Sequence, residues 1–208
     1  MADFLQAIPC GHDSYVKDTN DFLAKLREIK VKPETLLVTL DVESMYTNID
    51  NEAGLEAVKD AFIKNPEPRR SDEHILKLLE ICLKNNNFQF NNETYLQTSG
   101  TAMGKKFAPS YANIFMAAWE TGAMQKSYLK PTMYLRYLDD IWMLWEHGRE
   151  QFQDFFNIIN NHHSAVKLTA RVEEQEIDFL DVTIFKGPRL QQTGCLDTKV
   201  FFKPIDTP

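Results

Sequence analysis

Leu36-Leu37-Val38-Thr39-Leu40-Asp41 is an apolar run that ends in a carboxylate, and Tyr137-Leu138-Asp139-Asp140 ends the same way later in the chain. The first reads as a strand whose residues belong in a core. Acids are disfavoured inside strands, so an aspartate closing such a run needs a reason. Burying carboxylate beside carboxylate is costly unless cations neutralise them. Acids held close at strand ends are what two hard divalent cations require.

Working outward, Met133 to Tyr137 and Ile141 to Trp145 are apolar and aromatic, so the Asp139-Asp140 turn joins two packed strands. An Asp pair alone is a weak signal, since such pairs are common in solvated turns. Upstream, Asp18 or Thr19 caps a helix through Phe22, Leu23 and Leu26, and Pro33 breaks the chain before the Leu36 to Val42 strand. Helical spacing recurs over Asn51 to Phe62 and from Ser71 through Cys82. Phe88 to Phe90 and Thr94 to Gln97 form a hairpin around Asn91-Asn92. A glycine-bearing loop follows, and Pro109 leads a long helix through Trp119. Glu150 to Ile159 is helical, and Leu168 to Glu173, Ile177 to Phe185 and Thr198 to Phe202 are strand-like. The order predicts an α+β fold, with helices packed on one face of an antiparallel sheet.

At 208 residues the chain is one ordinary domain or one with a small appendage, and a 43% hydrophobic share supplies a core. No apolar stretch reaches the length of a membrane span, and Met1 does not open a signal segment. Cys10, Cys82 and Cys195 lie too far apart for a disulfide framework or a zinc knuckle. The chain therefore reads as soluble and intracellular, not secreted. Its net charge of −7 is unusual for a nucleic-acid binder. Between Thr98 and Leu138, however, Lys105, Lys106, Lys126, Lys130 and Arg136 oppose Glu120 alone, a local +4 that leaves −11 elsewhere.

Three acids of this kind fit phosphoryl transfer. Two Mg²⁺ ions about 3.5–4 Å apart would activate a primer 3′-hydroxyl and stabilise the leaving pyrophosphate. Such chemistry needs positioning and charge neutralisation rather than a nucleophilic side chain, which matches the lack of a Ser–His or Cys–His constellation. Asp139 is assigned as the primary ligand and Asp140 as the weaker partner.

Three ordered motifs carry a family resemblance: Leu40-Asp41-Val42-Glu43-Ser44-Met45-Tyr46-Thr47-Asn48-Ile49, then Gly100-Thr101-Ala102-Met103-Gly104 with Ala108-Pro109 and Ala112-Asn113, then Tyr137-Leu138-Asp139-Asp140. Together they resemble motifs A, B and C of a reverse transcriptase palm. Tyr46-Thr47-Asn48-Ile49 and Phe179-Leu180-Asp181-Val182 are similar to the Penelope-like retroelements in particular, and Lys203-Pro204-Ile205-Asp206-Thr207 resembles a segment near that family's primer grip.

The resemblance implies a polymerase palm running over residues 1–208, with a lead-in at 1–35, core motifs at 36–185 and the start of a primer-grip region at 186–208. It implies an RNA-directed DNA polymerase of a retroelement, acting with an RNA template, a DNA primer and dNTPs, without a membrane, and nuclear when part of an active element. Asp41, Asp139 and Asp140 would hold two Mg²⁺ ions, for which Mn²⁺ substitutes, with the Val42 carbonyl as a backbone ligand. Tyr46 would be the aromatic gate under the incoming sugar. Met103 and Gly104 would form the loop beneath the nucleotide, where a Cβ would hinder approach. Gln97, Lys105 and Lys106 would meet template, primer or phosphate. Asp50 stands where the family has proline, a change confined to the turn. Asp181 reads as structural and His162-His163 as surface. The basic fingers segment is not found before Ser14, and a thumb and GIY-YIG-type endonuclease are not found before Pro208, so the expectation is a palm fragment with partial fingers. An inactive, truncated remnant is the alternative. An RNA-dependent RNA polymerase fits less well, because those palms carry a polar residue where Tyr46 sits.

Overall fold

Caps and apolar spacing translate into elements with little slippage. In the computed structural model, which describes residues 1–8, 11–27 and 29–202, the chain runs α1 (Ala2–Gln6), α2 (Thr19–Leu26), β1 (Leu36–Val42), α3 (Met45–Asn48), α4 (Asn51–Lys64), α5 (Asp72–Lys84), β2 (Asn86–Phe90), β3 (Glu93–Gln97) and α6 (Ala108–Lys126). It continues with β4 (Met133–Tyr137), β5 (Asp140–Trp145), α7 (Arg149–Asn160), β6 (Leu168–Glu173), β7 (Glu176–Phe179), β8 (Val182–Phe185), α8 (Pro188–Thr193) and β9 (Asp197–Val200). These elements fall into two compact units. One comprises residues 1–12, 42–126 and 159–167, the other 13–41, 127–158 and 168–208.

The second unit holds a four-stranded sheet in the order β4-β5-β1-β6, in which β5 pairs antiparallel with both β1 and β4. Side chains alternate across a strand. Leu37, Leu135, Trp142 and Leu144 therefore share one face, where they join Phe22 of α2 and Ile177, Phe179, Val182 and Ile184 in a single buried cluster. Phe22 is the hinge of this packing, meeting Trp142 edge-on at 5.2 Å and Phe179 at 4.8 Å between ring centres. On the opposite face Trp145 meets Phe155 of α7 at 4.8 Å. The small sheet β7-β8-β9 is antiparallel throughout.

In the first unit α4 packs on α5 and α6. α6 is buried on all sides from Ser110 to Met116, as expected of a central helix. Gly54 of α4 is required by close approach, since a Cβ there would fall 1.9 Å from Tyr111 Oη. Asp50 caps α4 by accepting from Ala53 N at 2.8 Å, which explains why proline is dispensable at this turn. The β2–β3 hairpin turns through Asn91 and Asn92, both at positive φ, the signature of a type I′ turn.

Several expectations are corrected. Ile177 to Phe185 is two strands, broken at Leu180-Asp181, because a left-handed Leu180 (φ 53°) reverses the chain. Asp140 is the first residue of β5, so only Asp139 of the pair lies in the turn. The histidines are partly covered rather than fully solvated: His162 packs on Trp119 and against Gly122, and His163 sits edge-on to Phe115 at 5.7 Å. Cys10 and the 203–207 stretch that resembles the primer-grip segment lie outside the described residues.

Candidate active site

The aspartates owe their placement to register. Asp41, the next-to-last residue of β1, stands opposite Asp140, and Asp140 stands opposite Tyr137 of β4. Facing residues of an antiparallel ladder project to the same side. Tyr137, Asp140 and Asp41 therefore form the outermost row on the face whose next rows, Leu135–Trp142–Thr39 and Met133–Leu144–Leu37, lead into the core. Apolar rows fix the strands, and the strands hold the carboxylates at the rim.

The turn between β4 and β5 has two residues, Leu138 and Asp139. Leu138 sits at φ 54°, a left-handed conformation that costs a side chain with a Cβ roughly 1–2 kcal/mol. Arg136, 1% exposed, donates from Nη1 to the Leu138 carbonyl at 2.9 Å. Its backbone is held as well, with Arg136 N donating to Ser14 O at 2.6 Å and Val16 N donating to Arg136 O at 2.9 Å. Asp139 is half-buried, and among the described residues its carboxylate makes no hydrogen bond.

Asp41, Asp140 and Tyr137 line a cavity of about 650 Å³ that extends to Asp18, Asp178 and Asp181. Arg171 is the one cation among its lining residues, and it lies 3.5 Å from Asp178. Such a cavity repels bare phosphate and attracts cations. Among the described residues no group of three His, Cys, Asp or Glu side chains is gathered closely enough to hold a metal ion unaided. Asp181 is structural as expected: Thr19 Oγ1 donates to its carboxylate at 2.8 Å, and Phe201 N donates to its carbonyl at 2.9 Å.

The remaining predicted residues belong to the first unit. Val42 is the buried last residue of β1. Tyr46 is half-buried in α3, a helical turn that opens from a left-handed Ser44 (φ 49°). The glycine loop is bound to that turn: Thr101 N donates to Tyr46 O at 2.7 Å, and Gly100 N to Ile49 O at 3.0 Å. Gly100, at φ 71°, is the residue the close approach demands, because a Cβ would lie 2.3 Å from Tyr46 O. In sequence Gly104, beside Met103, is the expected loop residue beneath the nucleotide, and nothing sets Gly100 apart. Gly104 has open space around its Cβ position, so its φ of 89° and not crowding explains the glycine. Met103 is 78% exposed, and Lys105 and Lys106 are exposed beside it. Gln97 has both ends of its amide occupied, accepting from Asn86 Nδ2 at 2.7 Å and donating to Ser99 O at 2.8 Å, so it ties the β2–β3 hairpin to the loop.

Comparison with known proteins gives the family and the fold. Residues 7–177 match the family described as "Reverse transcriptase (RNA-dependent DNA polymerase)". No curated protein matches the chain. Among solved structures, apo telomerase from Candida tropicalis truncated from its C-terminal domain aligns with a TM-score of 0.70 at 16% identity, over 96% of this chain and 44% of that one. Telomerase from Candida albicans in complex with the TWJ fragment of telomeric RNA gives 0.68 at 11% identity, over 88% and 36%. The BmCPV RNA-dependent RNA polymerase at quiescent state gives 0.63 at 13% identity, over 88% and 19%. The chain spans less than half the length of the telomerases it matches, and identities this low speak to the shared α+β polymerase fold alone. With the family match covering most of its residues, the chain belongs to the reverse transcriptase family.

Proposed function

We propose that this chain is the catalytic palm of an RNA-directed DNA polymerase encoded by a retroelement, and that Asp41, Asp139 and Asp140 are its metal ligands. The observation that carries the reading is the opposition of Asp41 and Asp140 at the rim of an acid-lined cavity. When bound, a pair of Mg²⁺ ions, or Mn²⁺ in their place, supplies charge neutralisation to the attacking 3′-oxygen and to the departing pyrophosphate. The Val42 carbonyl is the backbone ligand we assign beside Asp41.

In the reaction the primer 3′-oxygen forms a bond to the α-phosphorus of a dNTP, and the bond from that phosphorus to pyrophosphate breaks. The side chains act by position. Tyr46, five residues beyond Asp41, blocks a 2′-hydroxyl and so selects deoxynucleotides. Met103 and Gly104 lie under the nucleotide, and Lys105 and Lys106 meet phosphate of the template, primer or nucleotide. The Tyr46-Thr47-Asn48-Ile49 and Phe179-Leu180-Asp181-Val182 sequences support a Penelope-like source within the family.

The test is primer extension on an RNA template by the full-length parent protein, with dNTPs and rNTPs compared, and calorimetric Mn²⁺ titration alongside. Wild type should extend with dNTPs, Asp139→Ala should not, and Tyr46→Ala should raise rNTP use at least about tenfold. Extension by Asp139→Ala at the wild-type rate would sink the proposal. Absence of both extension and Mn²⁺ binding in wild type would favour an inactive remnant.

A further inference from the structure

The chain contains two copies of one unusual turn. Tyr137-Leu138-Asp139-Asp140 and Phe179-Leu180-Asp181-Val182 are both two-residue hairpin connections, and their leucines share a left-handed backbone at φ 54° and φ 53°. Glycine or asparagine usually fills such a position, so each turn needs an external hold. The holds differ. At the second turn the aspartate itself is used: Thr19 Oγ1 donates to the Asp181 carboxylate and Phe201 N to the Asp181 carbonyl. At the first turn the hold falls on the preceding carbonyl, which accepts from Arg136 Nη1 at 2.9 Å, and no hydrogen bond falls on the Asp139 carboxylate among the described residues.

We propose that Arg136 is a positioning residue: its buried guanidinium clamps the Leu138 carbonyl from behind the sheet, so that the Leu138–Asp139 turn keeps its shape while the Asp139 carboxylate stays available for a cation. Alternation along β4 puts the Arg136 side chain on the face opposite that of Tyr137, Asp140 and Asp41. Its bond to the Leu138 carbonyl therefore bears on the carboxylates through the backbone of the turn. Guanidinium is suited to the task, since it stays charged when buried and presents rigid, planar donors that an ammonium lacks. The inference rests on the proposed function for its catalytic meaning and on the two turns for its structural content.

The experiment compares wild type, Arg136→Lys, Arg136→Gln, Leu138→Gly and the double variant R136K/L138G in the full-length parent protein. Four quantities are read: amide hydrogen exchange of the peptide spanning residues 137–141, Mn²⁺ affinity, and kcat and KM for dNTP. Arg136→Gln should speed turn exchange and lower kcat each by tenfold or more, with KM within twofold, and Arg136→Lys should lie between it and wild type. Because glycine is unstrained at φ 54°, Leu138→Gly should reduce the effect of Arg136→Lys on turn exchange. If Arg136→Gln fails to fold, the lysine variant and the double variant carry the comparison. Unchanged turn exchange in a folded arginine variant, or an Arg136→Lys effect of equal size in the Leu138→Gly background, overturns the proposal. A wild type that neither binds Mn²⁺ nor extends primers would remove the polymerase reading instead, and turn exchange would then decide for or against Arg136 by itself.

Discussion

Asp41 and Asp140 stand directly opposite one another across the β1–β5 ladder, like charge against like charge. Like charges in this relationship destabilise a sheet by a few tenths of a kcal/mol up to about 1 kcal/mol. A double-mutant cycle over Asp41→Asn and Asp140→Asn should therefore return a repulsive coupling of about 0.5 kcal/mol. Asp41→Asn alone should lower primer extension by about a hundredfold or more, as loss of a preorganised electrostatic group does. Urea denaturation of the four proteins and extension rates check both halves, and a favourable coupling between the two aspartates would contradict the repulsion.

The glycine loop makes a separate prediction. Gly100 combines φ 71° with backbone oxygens of Tyr46 and Thr47 at 2.3 and 2.6 Å from the position of a Cβ. Gly100→Ala should cost about 2–3 kcal/mol from backbone strain and forced displacement together. Gly104→Ala meets only the strain, because nothing lies within 4 Å of its Cβ position, and should cost about 1 kcal/mol. Urea denaturation that ranks the two the other way would refute this account of the loop.

Tyr111 and Gly54 should behave as a coupled pair. The Tyr111 hydroxyl is buried without a hydrogen-bond partner among the described residues, and burial, with Asp50 adding to it, pushes its pKa up. Tyr111→Phe removes that orphaned group and should stabilise by about 1 kcal/mol. Gly54→Ala drives a methyl into the same ring and should destabilise by about 2 kcal/mol. In the double variant part of the clash disappears with Oη, though Cζ at 2.4 Å remains, so the cycle should show a favourable coupling of about 1 kcal/mol. Strict additivity would mean that the two residues do not share the contact.

Acid sensitivity should trace in part to His162. Burial, then the charges of Lys126 and His163, holds its pKa below the ordinary histidine value, and its Nδ1 is buried without a partner among the described residues. A histidine with a depressed folded pKa binds its proton more readily in the unfolded chain. Its contribution is therefore complete above the ordinary value near pH 6.5 and is lost as pH falls through the folded pKa. His162→Gln should flatten the fall in stability between about pH 7 and pH 5. Parallel curves for wild type and variant would exclude the role.

Much of this architecture was legible in the residues. Asp18 and Ser71 mark helix starts that the structure uses as a cap and a cap position, and the Leu36 to Val42 run is a strand to the residue. What escaped were features decided by tertiary neighbours. A leucine carries no turn signal, so Leu180 gave no warning that Ile177 to Phe185 would break in two. α3 is four residues long, too short for apolar periodicity to declare it. His162 and His163 look solvated in sequence, but Trp119, Gly122 and Phe115 cover them. At the candidate site the strand-end position of each aspartate could be read in advance. The pairing of Asp41 with Asp140 could not, because strand register depends on how distant rows pack.

The interleaving of the two units has a consequence for experiments. The backbone passes from one to the other after His12, Asp41, Lys126, Ile158 and Lys167. A single proteolytic nick or terminal truncation inside the chain cannot release either unit whole, since each is assembled from three pieces with the other's segments threaded among them. Dissecting them requires each unit's three segments to be rejoined by new linkers, and a partial deletion should yield an unfolded polypeptide rather than a smaller working one.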